Sequence, residues 1–296
     1  MAEPAVRLRE VTVDYGAVRA LDRFGLEVPG PGVHGLLGRN GAGKTTAIRA
    51  LAGLLHLSSG TVEVFGADPG VDFRAKRRLS ILFSEDGLAT SLTVMENLVL
   101  WCGLYGFSAG DAREKAMASL EAFGMKGKAE EPVKSLSTGN RRVAALARVF
   151  AIPTEVVILD EPTSSLDPVK AAEVRSMIRG AAADRTVLLS THNLSEAQSL
   201  CDTVTMVHLG KRVLSGELSA LTGSPGYAVK TEDGRLRFRG GVLAPGPDGF
   251  VHLKECPSPP EVLAELVREG NRITEFRPAG KDLEEVFLGL AGEAGT

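Results

Sequence analysis

The chain has 296 residues, 44% hydrophobic and 24% charged, the balance of an ordinary globular protein with one large domain, or one domain and a small companion. Its net charge of −3 leaves no electrostatic footprint for nucleic acid, and no apolar run approaches the roughly 18 residues that a membrane span needs. Cys102, Cys201 and Cys256 stand far apart in no metal-ligand spacing, which predicts free thiols in a reducing compartment, and residues 1–10 lack the apolar core of a secretory signal.

Residues 5–14 alternate apolar and polar positions (Val6, Leu8, then Val11 and Val13) and predict a half-buried strand, ended by Tyr15-Gly16. Tyr15 reads as a strand-end aromatic or as a ring placed to stack on adenine. After a turn at 29–32, Val33–Leu37 predicts a short buried strand, and residues 46 to about 55 a helix with Ile48, Leu51, Ala52 and Leu55 on one face. Between them runs Gly38-Arg39-Asn40-Gly41-Ala42-Gly43-Lys44-Thr45, followed by Thr46. The spacing G-x-x-x-x-G-K-T between strand and helix is the phosphate-binding loop of a nucleotide-hydrolysing enzyme. Its glycines let successive N–H groups turn inward onto phosphate oxygens, and the helix N-terminus adds partial positive charge. Lys44 supplies a full charge to the outer phosphates, and the Thr45 hydroxyl suits magnesium.

Further on, 60–66 predicts a strand, 74–78 a solvated basic cluster, and Leu79–Phe83 an apolar strand before the polar loop Ser84-Glu85-Asp86-Gly87. Thr93 with Glu96 forms a capping box opening a helix to about Tyr105, and a second helix spans about 109–123. Leu136-Ser137-Thr138-Gly139-Asn140 precedes a helix over 141–150, with Ser137 as its N-cap. Val156–Leu159 predicts a strand buried on both faces that ends in Asp160-Glu161, where an open parallel sheet places its chemistry. There Asp160 suits magnesium, and Glu161 suits orienting or deprotonating an attacking water. Ser164–Pro168 predicts a turn before a helix at about 169–183; residues 186–190 predict another buried strand, which delivers His192 to within reach of a terminal phosphate. A helix at 194–200 and strands near 204–207 and 212–215 follow. Beyond about residue 223 come a linker at 224–226, a hairpin over 227–239, a turn at 245–249, an amphipathic helix at 261–269, a strand at 273–276 and a closing helix at 283–290.

Tyr15, the loop 38–45, Leu136–Asn140, Asp160-Glu161, Ser165-Leu166-Asp167 and His192 occur in one order and spacing over residues 4–222. This set resembles the ATP-binding subunit of ABC transporters. The resemblance implies an α/β phosphate-loop NTPase core with an antiparallel β subdomain and a helical subdomain at about 84–150, together spanning 1–222, and a small α+β extension over 223–296. It implies ATP and Mg2+ as ligands, with Tyr15 stacking on adenine, Lys44, Thr45 and the loop amides cradling phosphate, Asp160 on magnesium, Glu161 catalytic and His192 sensing the terminal phosphate. Ser137, Thr138, Gly139 and Asn140 match the signature, which in this family covers the ATP held by a second subunit, and Asp167 matches the loop across that dimer interface. A separate transmembrane permease completes the implied assembly, with this chain on the cytoplasmic face of the membrane, and no nucleic acid is involved. The ending Lys281–Leu290 resembles the close of a C-terminal extension found in ATPases that export drugs, antibiotics, lipids and polysaccharides.

Two features, at three positions, depart from the family pattern. Thr138 and Asn140 replace a glycine and a glutamine of the usual signature, and Ser84, followed by Glu85, stands where the family has a loop glutamine. The intact Glu161 and His192 predict a working ATPase. Free phosphate released without an acceptor distinguishes this reading from a small-molecule kinase.

Overall fold

The computed structural model describes residues 3–222, 226–254, 259–278, 283–284 and 286. They fall into two compact units, Met1–Gly216 and Glu217–Thr296. The first unit opens with strands β1 (Val6–Tyr15) and β2 (Val18–Val28), an antiparallel pair joined at Tyr15↔Val18. Sequence periodicity misses β2, and the register explains why. The pairing slips three times between Leu8 and Asp14, and Glu10 and Arg23 adopt left-handed φ of 49° and 45°. Such bulges break the two-residue alternation that marks a strand.

Next come β3 (Gly32–Leu37), the loop 38–43 and helix α1 (Lys44–Leu51). The helix starts two residues before the expected position and stops four residues short of Leu55. Gly53, at φ 61°, ends it in the left-handed conformation that glycine adopts without steric cost. Strand β4 (Ser59–Val64) pairs with β1, completing an antiparallel sheet of order β2-β1-β4. Then follow α2 (Phe73–Arg77) and β5 (Leu79–Leu82), and three helices: α3 (Val94–Leu104), α4 (Ala109–Ala122) and α5 (Thr138–Phe150). The expected capping box closes: Glu96 N donates to Thr93 Oγ1 at 3.1 Å, and Thr93 N donates to Glu96 Oε2 at 2.7 Å. Ser137 caps α5, which begins at Thr138 and so takes the signature segment into its first turn.

The remainder of this unit is β6 (Val156–Asp160), α6 (Pro168–Ala181), β7 (Thr186–Thr191), α7 (Leu194–Leu200), β8 (Thr203–His208) and β9 (Lys211–Glu217). The six-stranded sheet has the order β5-β6-β7-β3-β8-β9, with β5 to β8 mutually parallel through β3. Every residue of β6 and β7 is buried, as their unbroken apolar runs require of strands covered on both faces. Helix α1 bridges the two sheets: Ile48 and Leu51 share one core with Leu8 and Phe24 of the antiparallel sheet and with Leu36, Ile158 and Leu188 of the parallel one. Each such fully buried side chain contributes about 1.5–3 kcal/mol, so the helix behind the loop 38–43 is fixed from both sides.

The second unit holds α8 (Leu218–Thr222), β10 (Gly226–Thr231), β11 (Leu236–Phe238), β12 (Gly241–Leu243), β13 (Val251–Lys254), α9 (Pro259–Arg268) and β14 (Ile273–Pro278). The hairpin expected over 227–239 does not form. Strand β10 pairs instead with β13 and β14, and β11 turns onto β12. Arg239 and Gly240, at φ 51° and 74°, make the two-residue turn with both central residues left-handed that suits a tight hairpin, and it captures β11. Val229, Leu236, Val251, Leu253, Val262 and Leu266 form this unit's own core. Of the segment 281–290, only Leu283, Glu284 and Val286 are described, and these three are helical; the rest of the closing helix read there, like the linker residues Ser224 and Pro225, lies outside the described residues.

Candidate functional site

Three loops meet at the C-terminal edge of the parallel sheet, after β3, β6 and β7. The loop after β3 is close-fitting. A Cβ on Gly38 would lie 2.5 Å from the Val207 carbonyl oxygen, and Gly43, at φ 112°, is left-handed and lies against the Ala20 carbonyl. Only glycine meets both demands. Gly43 is also the N-cap of α1 and gives it no side-chain cap. The first-turn N–H groups of Lys44, Thr45 and Thr46 have no carbonyl four residues back within the helix, so this end of α1 faces the site with donors and partial positive charge. Lys44 is buried. Its ammonium donates to Gly38 O at 2.7 Å and Arg39 O at 3.2 Å and lies 3.3 Å from Glu161 Oε1.

The end of β6 supplies the acids. Asp160 is fully buried, and both its oxygens accept hydrogen bonds: Oδ2 from Thr45 Oγ1 at 2.9 Å, and Oδ1 from Ser190 Oγ. Glu161 has φ 49°, a strained conformation for a non-glycine residue, costing about 1–3 kcal/mol. Its N–H is held by the Ser190 carbonyl at 3.1 Å, and the bend turns its carboxylate between Lys44 and His192, whose Nδ1 lies 2.9 Å away. The next helix is tied in by a buried carboxylate: Glu196 accepts from Thr191 Oγ1 at 2.6 Å and from Thr163 Oγ1, linking the residue before His192 to the residue two beyond Glu161.

The fourth wall is α5, whose arginines hold the loops. Arg142 is buried, and each nitrogen of its guanidinium donates to main-chain carbonyls. Nε reaches Pro162 O at 3.0 Å, Nη1 reaches Phe83 O at 3.0 Å and Ser84 O at 3.1 Å, and Nη2 reaches Asp160 O at 2.8 Å and Glu161 O at 2.9 Å. Burial pulls this guanidinium below its ordinary pKa, against the opposing pull of the Asp160, Asp86 and Glu161 charges. Arg141 donates twice to Asp86 Oδ2, at 3.1 and 2.7 Å, and Arg148 donates to Gly87 O.

A protein-family model described as "ABC transporter" matches residues 21–164. The daunorubicin/doxorubicin resistance ATP-binding protein DrrA of Streptomyces peucetius is 34% identical over 295 residues, 94% of this chain and 89% of that protein. The Nod factor export ATP-binding protein I of Ralstonia nicotianae is 33% identical over 310 residues, 98% and 94% of the two chains. This chain belongs to the ABC transporter family, as an ATP-binding protein. Among solved structures, cbiO1 from Clostridium perfringens, described as part of the ABC transporter complex cbiONQ, superposes with a TM-score of 0.67 at 23% identity, over 74% of this chain and 90% of its own. The fold is that of the ABC ATPase domain.

This ABC ATP-binding protein therefore binds and hydrolyses ATP, and its geometry can be read against the sequence expectations. Lys44, Thr45, Asp160, Glu161 and His192 form one connected cluster. Tyr15 ends β1 and is 45% exposed. Ser137, Thr138, Gly139 and Asn140 lie at the start of α5, and Asp167 caps α6 by accepting from Lys170 N at 2.9 Å. No hydrogen bond or ion pair among the described residues joins the signature segment to the loop 38–45. Ser84 and Glu85 are exposed, and Ser84 meets the site only through its carbonyl.

Arg142, Ser190 and Glu196 escaped the sequence reading. Arg142 left a trace, since it occupies an apolar-stripe position of α5 with Leu146 and Val149. A buried arginine on such a stripe must be spending its donors on something fixed. Ser190 and Glu196 left none, because a serine in a strand and a glutamate on a short helix are unremarkable until the fold brings them to Asp160 and Thr163. Among the described residues, no three His, Cys, Asp or Glu side chains gather into a metal cage. The paired hard oxygens of Thr45 and Asp160 nonetheless fit a magnesium ion, which takes one or two protein oxygens and fills its remaining positions with water and phosphate.

Proposed function

We propose that this chain is the ATPase subunit of an exporter, acting on the cytoplasmic face of a membrane through a separate permease chain. The observation that carries the catalytic part is the Lys44–Glu161–His192 cluster standing beside the Thr45–Asp160 pair. Lys44 exchanges its carbonyl partners at Gly38 and Arg39 for the terminal phosphates of ATP, which join it to the α1 N-terminus and the loop amides from Gly38 to Thr46. Magnesium, held by Thr45 and Asp160, would neutralise charge shared between those phosphates. Glu161 accepts a proton from water as the water oxygen bonds to the terminal phosphorus and the bond to the bridging oxygen breaks, leaving ADP and phosphate. His192 orients Glu161 and the departing phosphoryl group. Tyr15 stacks on adenine.

The signature works in trans on this reading. Glycine costs helix stability relative to alanine, by up to about 1 kcal/mol in a helix interior. Yet among the described residues a Cβ on Gly139 would meet only Leu166 and Lys170, at 3.6 and 3.8 Å, which is ordinary contact. None of these residues demands glycine there, so close approach by ATP on a second subunit supplies the demand. Ser137, Thr138, Gly139, Asn140 and Asp167 then face that subunit across a dimer interface. Residues 1–222 form the ATP-binding domain, with its helical subdomain at about 84–150, and 223–296 form the extension. Among the described residues no helix is long and apolar enough to cross a membrane, which supports a separate membrane chain. The names of the relatives, daunorubicin/doxorubicin resistance and Nod factor export, support a drug-, antibiotic-, lipid- or polysaccharide-like cargo moving outward.

The test is Glu161→Gln. The variant binds Mg-ATP with wild-type affinity, loses at least about 100-fold in turnover, and accumulates as an ATP-dependent dimer on size exclusion. Unchanged turnover refutes the role of Glu161. A tagged wild-type chain recovered from detergent-solubilised native membranes without a stoichiometric membrane partner refutes the exporter reading.

A further inference from the structure

We propose that Arg142 is a positioning residue for ATP hydrolysis: it fixes the main chain of Asp160–Pro162, and so the Glu161 carboxylate, and ties both to the signature helix α5. The proposal rests on the reading of Glu161 as the catalytic carboxylate.

The argument is one of donors and acceptors. An arginine side chain carries five N–H donors in a rigid planar fork and accepts nothing. In this chain five main-chain carbonyls receive them, at 2.8–3.1 Å: Phe83, Ser84, Asp160, Glu161 and Pro162. No donor is left over for a side chain or ligand, so the group serves the backbone alone. Three of the five carbonyls belong to consecutive residues running through Glu161. That stretch holds the left-handed φ of 49°, which persists only where its surroundings over-determine it. The Ser190 carbonyl holds the N–H side of Glu161; on its C=O side Arg142 Nη2 donates at 2.9 Å, beside longer bonds from Ser164 Oγ at 3.2 Å and Ser164 N at 3.4 Å. Without the short charged anchor only the neutral Ser164 bonds remain, and the peptide can relax towards an ordinary φ, which swings the carboxylate off Lys44 and His192.

The other two carbonyls give the device a second function. Phe83 and Ser84 begin the loop in which the family's glutamine is absent, and the exposed Ser84 side chain offers the site nothing. The same loop is held further along by Arg141 on Asp86 and Arg148 on Gly87. Three arginines of α5 thus grip residues 83–87, and one of them also grips the acid. Rotation of α5 moves the Glu161 backbone and the loop together, a link made here by Arg142 rather than by a loop side chain.

The test uses the full chain with Mg-ATP and compares Arg142→Lys, Glu161→Gln and the double variant. Lysine keeps the charge and roughly the length but has three donors, so at least two carbonyls lose their partner. Arg142→Lys is expected to lower kcat about 10–100-fold, the scale of a roughly 1 Å misplacement of a catalytic group. ATP affinity, measured by titration calorimetry, stays within about threefold, because the phosphate cradle makes no bond to Arg142. If Arg142 acts through Glu161, adding Arg142→Lys to Glu161→Gln lowers single-turnover hydrolysis no further. A merely structural role would instead lower affinity and turnover together and would multiply in the double variant. Wild-type kcat in Arg142→Lys, or losses that multiply, overturns the positioning role while leaving Glu161 in place. Wild-type turnover in Glu161→Gln alone overturns the underlying reading and the proposal with it. Should Arg142→Lys not fold, Arg142→Gln is read in the same way, and failure of both to fold assigns Arg142 to folding and overturns the proposal.

Discussion

Ser190→Ala isolates how a buried carboxylate is held. Asp160 is fully buried and takes one hydrogen bond on each oxygen, from Thr45 and from Ser190. Alanine removes the second and little else: the Glu161 N–H, 3.2 Å from Ser190 Oγ, keeps the Ser190 carbonyl at 3.1 Å. A hydrogen bond to a charged group is worth about 1.5–3 kcal/mol. For a unit of this size that corresponds to a fall in Tm of about 3–12 °C. In an Asp160→Asn background the bond joins neutral groups, and the same substitution costs only about 1 kcal/mol. Urea unfolding followed by the fluorescence of Trp101, the chain's one tryptophan, reads the ATP-binding unit selectively. A cost for Ser190→Ala that is the same with and without the Asp160→Asn substitution, or below about 0.5 kcal/mol in the otherwise wild-type chain, refutes this account of Asp160.

Lys44→Ala is expected to weaken ATP binding at least about 100-fold, the scale of two lost charge-assisted bonds to phosphate; normal affinity by calorimetry refutes its role. Tyr15→Ala should weaken ATP about 5–150-fold, the value of one base stacked on an aromatic ring, with Tyr15→Phe near wild type. Equal affinity in all three proteins makes Tyr15 an ordinary strand-end aromatic. His34 gives a pH dependence of stability. Burial holds its imidazole below the ordinary value, against the pull of the Gly30 carbonyl and the Asp202 charge, while Nε2 and Nδ1 bond to Gly30 O and Thr203 Oγ1. The unfolded chain takes up the proton near pH ~6.5, so this stabilisation is complete above that pH and is lost on acidification below it. Between about pH 7.5 and about pH 5.5, which bracket the free histidine value, the Tm of His34→Gln should therefore fall less than that of the wild type; parallel falls exclude His34 as the source.

What the sequence made legible was local. The loop 38–45 shows itself because glycine spacing, lysine and threonine all lie within one turn of chain. The β6 strand shows itself because burial on both faces leaves an unbroken apolar run ending in acids. The Thr93–Glu96 capping box is equally short in range and closes as expected. What stayed hidden either broke a period or acted at a distance. Strand β2 is long, but its bulge at Arg23 disrupts alternation. The β11–β12 turn depends on a non-glycine residue, Arg239, adopting positive φ, which composition does not announce. Ser190 reaches Asp160 across 30 residues and Arg142 reaches Phe83 across 59; neither separation carries a periodic signal.

The strand order has a consequence for synthesis. Strand β3 carries the loop 38–43, yet its sheet neighbours are β7 and β8, which end at Thr191 and His208. At ribosomal rates of about 5–20 residues per second, β3 waits on the order of ten to thirty seconds for both edges to be paired. Until then the nascent chain has the loop 38–43 but not the sheet that holds it. A polypeptide cut short anywhere in the first two-thirds of the molecule should thus be unable to retain nucleotide, and ATP becomes a ligand for chains whose translation has passed β8. Nucleotide binding then stabilises only those chains in which β3 is paired on both edges, by about 2.7 kcal/mol at a hundredfold excess over Kd.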